Sequence, residues 1–230
     1  MNMLVDGEWR TDTFQTTNEE GAFERQTTPF RDWIAGSDVP DHIDAEPSDR
    51  FPAESGRYHL YVSYACPWAH RTLLVRALMG LTDAIGVSVV DPYRGDDGWQ
   101  FTPEKTGCTP DKLHDSDYLR ERYVAADPEA TCRVTVPVLW DTEEETIVNN
   151  ESREIIRMLT TGFDDIAERD IDLAPASHRD KIDEIITDIY EPINNGVYKA
   201  GFATNQGPYD EAVETLFDAL DHWNEVLADQ

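Results

Sequence analysis

The sequence predicts an α/β domain built on a mixed sheet, followed by an all-α region, and three observations predict it. Short apolar runs at about 57–63, 86–90, 135–140 and 145–148 read as strands, bounded by turn residues. Two stretches among them, 68–81 and 151–162, carry apolar residues at helical spacing. Beyond about residue 170 only helical patterns remain.

In chain order, residues 1–50 are polar and irregular, with Trp9, Phe14, Phe23, Phe30 and Trp33 as isolated anchors. They read as an extension that lies across a domain. The first strand holds Tyr58, Leu60, Tyr61 and Val62, and the first helix repeats Leu73, Leu74, Ala77, Leu78 and Leu81. Between them stands Tyr64-Ala-Cys-Pro-Trp-Ala-His-Arg71. Pro67 suits a first helical turn, where its missing N–H would have no partner anyway. Cys66 therefore sits at a helix start, where unpaired amides and the helix dipole favour a thiolate. A free cysteine elsewhere most often only fills a core; the order strand, Cys, Pro, helix sets this one apart. The second thiol of a Cys-x-x-Cys pair would fall at position 69, which is Ala69. Any disulfide at Cys66 must then involve a small molecule, another protein or a distant cysteine.

A long loop-rich insertion at 91–133 precedes the third strand, Val134-Thr-Val-Pro-Val-Leu-Trp140. The order β-α-β, then β-β-α, is that of a thioredoxin-like domain. Proline inside a strand normally argues against the strand. In a thioredoxin-like fold the conflict resolves, because a cis-proline opens this strand beside the active-site cysteine; an ordinary trans proline on an edge strand is the alternative. Val136 can then offer its N–H and C=O to an extended peptide, as an added strand does. In Asn149-Asn-Glu-Ser152 before the second helix, Asn150 is a suitable N-cap and Glu151 complements the dipole. The same geometry lets the Ser152 hydroxyl and nearby amides bind a carboxylate while Glu151 pairs with an ammonium group. Together they fit the amino-acid end of a γ-glutamyl moiety. Further on, Ser177 is placed to cap a helix through Ile182, Ile185, Ile186 and Ile189, and Pro208 opens another running to Leu227. Two helices cannot close a core, so they are expected to pack on the first domain, on a partner or on further helices.

Composition narrows the function. A formal net charge of -28, from 47 acidic and 19 basic residues, repels nucleic acid and anionic membranes and argues against both as partners. Such a surface repels itself unless salt screens it, which suggests a high-salt cytoplasm. Three cysteines, Cys66, Cys108 and Cys132, are too scattered for a disulfide framework and do not join the histidines at zinc-binding spacing, so no metal is expected. No apolar run approaches the ~20 residues that span a bilayer. A cytoplasmic location is expected.

Five blocks resemble the glutathionyl-hydroquinone reductases, the Xi class of glutathione transferases. They are Tyr64–Arg71, Gly98-Trp99, Arg133–Asp141, Ile147–Ser152 and Asn194-Asn-Gly-Val-Tyr-Lys-Ala-Gly-Phe-Ala203, in the family's order. The resemblance implies a thioredoxin-like N-terminal domain and an all-α C-terminal domain of glutathione-transferase type. It divides the chain into an extension at 1–50, a glutathione-binding domain at 51–168 and a helical part at 169–230. Members continue beyond the position of Gln230, so that last part is expected to be incomplete, lacking helices and a further tyrosine of the quinol pocket. Cys66 matches the nucleophile, and Tyr198 the tyrosine that faces the hydroquinone. Trp99, Arg133, Val136, Glu151 and Ser152 match positions that hold glutathione, while Tyr64 and Trp68 fall to the substrate pocket and His70 to structure. The implied co-substrate is glutathione or γ-glutamylcysteine, the substrate a glutathionyl-quinol, and the assembly a homodimer. Conjugating or thiol-transferase activity, and a non-catalytic interaction module, are the competing readings.

Overall fold

The computed structural model describes residues 2–12 and 16–228; the expected anchor Phe14 and the terminal Asp229 and Gln230 lie outside them. The chain forms two compact units, one of Met1–Thr13 with Thr28–Ala174 and one of Phe14–Thr27 with Pro175–Gln230. The first fifty residues, expected as one extension, are thus shared between the units, and the later division falls after Ala174.

The first unit opens with a hairpin, β1 (Met3–Val5) against β2 (Glu8–Arg10). Asp6 and Gly7 both have positive φ, 49° and 75°, as a two-residue type I′ turn demands. A Cβ on Gly7 would overlap the Pro128 carbonyl oxygen, so the position accepts only glycine. Leu4 exchanges two backbone bonds with Cys132, at 2.9 and 3.1 Å, and so fastens the hairpin to the end of the insertion. A second small pair joins β3 (Trp33–Ile34) in parallel with β4 (Pro47–Ser48).

The central sheet contains β5 (Tyr58–Val62), β6 (Ile85–Val89), β7 (Val138–Asp141) and β8 (Thr146–Asn149), in the order β6-β5-β7-β8. β6 runs parallel to β5, and the other neighbours are antiparallel. Every residue of β5 and β7 is buried, so these central strands are mostly apolar without alternation, with His59 and Asp141 as their buried polar members. Helix α1 (Pro67–Leu78) connects β5 to β6. Within the insertion, read as loop, the structure has α2 (Arg120–Ala126), which lies against β8. Helix α3 (Ser152–Thr161) packs on α1. The edge of β8 is covered by the N-terminal chain: Asp32 N–H donates to the Val148 carbonyl at 3.0 Å, and Asn150 N–H to that of Phe30 at 3.2 Å. Pairing of this kind keeps an edge strand from recruiting another chain.

Two buried polar contacts set register. Arg57, just before β5, donates from Nε and Nη2 to Asp141 Oδ2 at 2.8 and 2.7 Å. The other Asp141 oxygen accepts from the N–H groups of Glu143 and Glu144 and so closes the turn between β7 and β8. Losing one partner of such a pair strands the other charge, at about 3–5 kcal/mol. The second contact centres on Tyr123 of α2, which is fully buried. Its hydroxyl donates to the Thr135 carbonyl at 2.9 Å and accepts from Thr135 N–H at 3.2 Å and from Asn150 Nδ2 at 3.0 Å. One donor and two lone pairs are all in use.

On the sheet, His59 is buried and Nε2 meets Ser88 Oγ at 2.8 Å. Burial pushes this imidazole down to about 4, with the charges of Lys112, Arg76 and His114 in the same direction and Asp111 opposing.

The second unit holds α4 (Arg179–Ile189), a π-helical turn at Tyr190–Asn194, α5 (Gly196–Phe202) and α6 (Gln206–Ala228). α5 and the π turn go beyond the two helices the sequence names, in a stretch that Pro192, Gly196 and Gly201 punctuate. Helix α6 starts two residues before Pro208, whose missing N–H is harmless in the first turn. None of the 11 residues of α4 is buried, and α6 buries only Ala212 and Leu216. Phe217, Leu220 and Leu227 stay exposed on α6. Among the described residues, no helix is long and apolar enough to cross a membrane, and no group of three or more His, Cys, Asp or Glu is placed to hold a metal ion.

Tyr123→Phe removes one hydroxyl but leaves an N–H, a carbonyl and an amide unpaired, so chemical denaturation should show a loss of about 1–3 kcal/mol. His59 gives a pH signature. The unfolded chain takes up a proton below about pH 6.5 while the native imidazole stays neutral to about 4. Stability should therefore be complete above that window and decline as pH falls through it, by up to about 3 kcal/mol. In His59→Gln, denaturation curves between pH 6.5 and 4 should lose that part of the slope.

Candidate active site

Cys66 is the N-cap of α1, with φ −100° and ψ 113°, and Pro67 follows at the first helical position. Its carbonyl accepts the His70 N–H at 3.0 Å, which starts the helix, while its side chain makes no capping bond. Sγ lies 3.4 Å from the carbonyl oxygen of Val136. The Val136–Pro137 peptide bond is cis, and β7 begins only after it, at Val138, not at 135. The Val136 N–H makes no hydrogen bond among the described residues, which leaves a backbone donor beside the thiol.

The start of α3 forms the other side of the site. Asn150, expected as its N-cap, is not: Phe30 N–H and the Tyr123 hydroxyl occupy the two ends of its amide. Glu151 is the N-cap instead, with Oε1 accepting Arg153 N–H at 3.4 Å. Ser152 is buried, and its hydroxyl is not free as expected. Arg71 donates to Ser152 Oγ from Nε at 3.0 Å and from Nη2 at 2.7 Å, and the same Nη2 stands 3.7 Å from Glu151 Oε1. The Arg71 guanidinium also lies over the Trp68 ring, 4.9 Å from its centroid. A cation therefore backs the Glu151-Ser152 corner and leaves the serine proton available to a ligand.

Arg71 ends the sequence block around Cys66, and the sequence alone gives it no role. One signal was available. Its helix offers no acid three or four residues away, in a chain where acids outnumber bases more than twofold, so its partner had to come from another element.

The remaining expected residues belong to other parts of the chain. Tyr64 is exposed, its ring beside Gly107. His70 is exposed on α1. Trp99 belongs to the insertion, where its carbonyl accepts the Leu119 N–H at 2.9 Å. The Trp99 Nε1 is buried without a hydrogen-bond partner, a donor ready for a bound acceptor. Arg133 is half-buried at the end of the insertion. Arg94 feels its charge: burial first, then Arg133, lowers the Arg94 guanidinium to about 10. Tyr198 is in the second unit, on α5, stacked with Phe23 and Phe202 at centroid separations of 6.3 Å each.

Residues 65–161 match the family described as glutathione S-transferase, N-terminal domain. The glutathionyl-hydroquinone reductase YqjG of Escherichia coli K-12 is 46% identical over 227 residues, covering 99% of this chain and 68% of that protein. A Xi-class glutathione transferase structure from Natrialba magadii superposes with a TM-score of 0.88 at 65% identity, over 100% of this chain and 66% of that one. The glutathione-bound structure of YqjG gives 0.84 at 44% identity, over 99% and 67%. The chain spans about two thirds of the length of these relatives. On that identity and coverage, with a mixed sheet and a helical region as the resemblance implied, the chain belongs to the glutathionyl-hydroquinone reductases, the Xi class of the glutathione transferases.

Proposed function

We propose that the protein is a thiol-dependent reductase that removes the glutathionyl group from glutathionyl-hydroquinones through a mixed disulfide on Cys66. The observation that carries the reading is the junction itself: a lone thiol at a helix start, 3.4 Å from the carbonyl before a cis-proline, with Ala69 where a resolving cysteine would stand. A nucleophile with no internal resolving thiol needs an external one.

The Cys66 thiolate attacks the substrate sulfur, a disulfide forms, and the carbon–sulfur bond breaks with its electron pair moving to the aromatic carbon. That carbon takes a proton from Tyr198. A second thiol molecule then attacks the mixed disulfide, leaving as the oxidised disulfide and freeing Cys66. The thiol is held along Val136, which offers an N–H and a carbonyl to an extended peptide. Its γ-glutamyl end sits at Glu151 and Ser152, where Glu151 pairs with the ammonium and Ser152 donates to the carboxylate beside the Arg71 cation. Arg133 pairs with a second carboxylate, and the Trp99 Nε1 finds its acceptor on the bound thiol. Tyr64 and Trp68 wall the substrate side. Glutathione and γ-glutamylcysteine share the group that Glu151 and Ser152 address.

A cytoplasmic setting belongs to the reading, because a reduced nucleophilic thiol and a small-molecule thiol need a reducing compartment. So do a homodimer, on the resemblance to the class, and a salt-rich interior, on the net charge of -28.

Incubation with a glutathionyl-hydroquinone should release quinol in the wild type and lose release by at least about a hundredfold in Cys66→Ser, with intact mass reporting one thiol adduct on the wild type alone. Release unaffected by that substitution would overturn the mechanism. Thermal melts over a KCl series should rise with salt, and light scattering in the same buffers should report twice the chain mass; greatest stability in dilute buffer, or a single-chain mass, counts against these parts of the reading.

A further inference from the structure

Tyr198 does not stand alone in the second unit. The guanidinium carbon of Arg25 lies 4.7 Å from the centroid of its ring and 5.6 Å from that of Phe23. Arg25 Nε donates to Asn195 Oδ1 at 2.5 Å, and Asn195 is itself buried at 2% exposure. Asn195 Nδ2 in turn donates to Glu191 Oε1 at 3.0 Å, whose other oxygen accepts from Lys199 Nζ at 2.6 Å. The guanidinium is thus tied at one end to a buried amide and laid over a phenol, an arrangement suited to its flat fork. Phe23 and Phe202 stack with the same ring at interplanar angles of 28° and 17°. Both Phe23 and Arg25 come from the segment between the first two anchors and β3, which the sequence assigned only to an extension.

We propose that Arg25 is a positioning residue for Tyr198: it fixes the orientation of the phenol and stabilises the phenolate formed when Tyr198 gives up its proton. The inference rests on the reading of Tyr198 as the proton donor. In the cleavage step the Tyr198 O–H proton goes to the aromatic carbon as that carbon receives the electron pair of the broken carbon–sulfur bond. The oxygen is left with a negative charge, and solvent returns the proton before the next turnover. A cation held over the ring lowers the free energy of that charge. Glu191 and Lys199, charged groups of the same cluster, are paired with each other, and the Arg25 charge also helps hold the Glu191 carboxyl low. Exchange of thiols at Cys66 with a simple disulfide needs no proton on carbon and is outside the effect of Arg25.

The test uses Arg25→Gln, Arg25→Lys and Tyr198→Phe in the full chain, with two rates and one titration. Quinol release should fall about tenfold in Arg25→Gln and recover in part in Arg25→Lys. The rate at which glutathione disulfide forms an adduct on Cys66 should stay at the wild-type value in both, which also shows that the variants are folded. The phenol of Tyr198, isolated as the ultraviolet absorbance difference from Tyr198→Phe, should titrate at higher pH in Arg25→Gln. Equal loss of release and adduct formation, unchanged release, or an unmoved titration midpoint would each overturn the proposal. If the wild type releases no quinol, the proposed activity fails by itself, and the titration still decides whether Arg25 acts on Tyr198.

Discussion

The hydroxyl of Tyr123 is the constraint on which the thiol site depends. The two walls of the site come from distant stretches of chain, the loop at Val136 and the start of α3 at Glu151, and neither is held by a strand at the point of use. Tyr123 bonds the residue before each: Thr135 through both its backbone groups, and Asn150 through its amide. Burial pushes the phenol up to about 12, although bonds with Thr135 and Asn150 oppose this. Burial thus favours the neutral phenol, the form that donates to Thr135. Asn150 passes the constraint outward to Phe30, so the N-terminal chain, α2, the loop and α3 share one polar centre.

Three arginines stand in structural places. Arg57 pairs with buried Asp141, Arg31 with buried Glu154, and Arg71 with Ser152 and Glu151. The forked guanidinium makes two directed bonds to one partner, and in each case it joins segments far apart in sequence. A surplus of carboxylates covers the exterior, where they are hydrated and need no partner. The few that are buried are the ones with a cation. Charge in this protein accordingly has two separate uses, solvation outside and register within.

Much of the first unit was legible because its signals are local. Helix α1 follows from Pro67 and the leucine period, and β5, β6 and β8 from apolar runs bounded by turn residues. What escaped was non-local. The seven residues of α2 carry too short a period to stand out, yet Tyr123 inside them organises the site. Asn150 has the sequence of a cap, and only the approach of Phe30 and Tyr123 shows why its amide is used elsewhere. Arg71 and Arg25 were readable as charges but not as partners, since Ser152 is 81 positions from the one and Asn195 is 170 from the other. In the second unit α5 was missed for a different reason: Gly196, Tyr198 and Lys199 follow a π-helical turn that breaks the 3.6-residue period on which such readings depend.

The division of the first fifty residues between the units has a bearing on synthesis. During translation the segment bearing Phe23 and Arg25 leaves the ribosome among the earliest parts of the chain, but its partners Asn195, Tyr198 and Phe202 follow some 170 positions later. The central sheet, whose strands lie between Tyr58 and Asn149, can condense in the interval. The early segment must wait unpaired, tethered at both sides to a unit that is already folding. Its abundance of polar residues, including Thr16, Thr17, Asn18, Glu19 and Glu20, suits a stretch that spends that time in water.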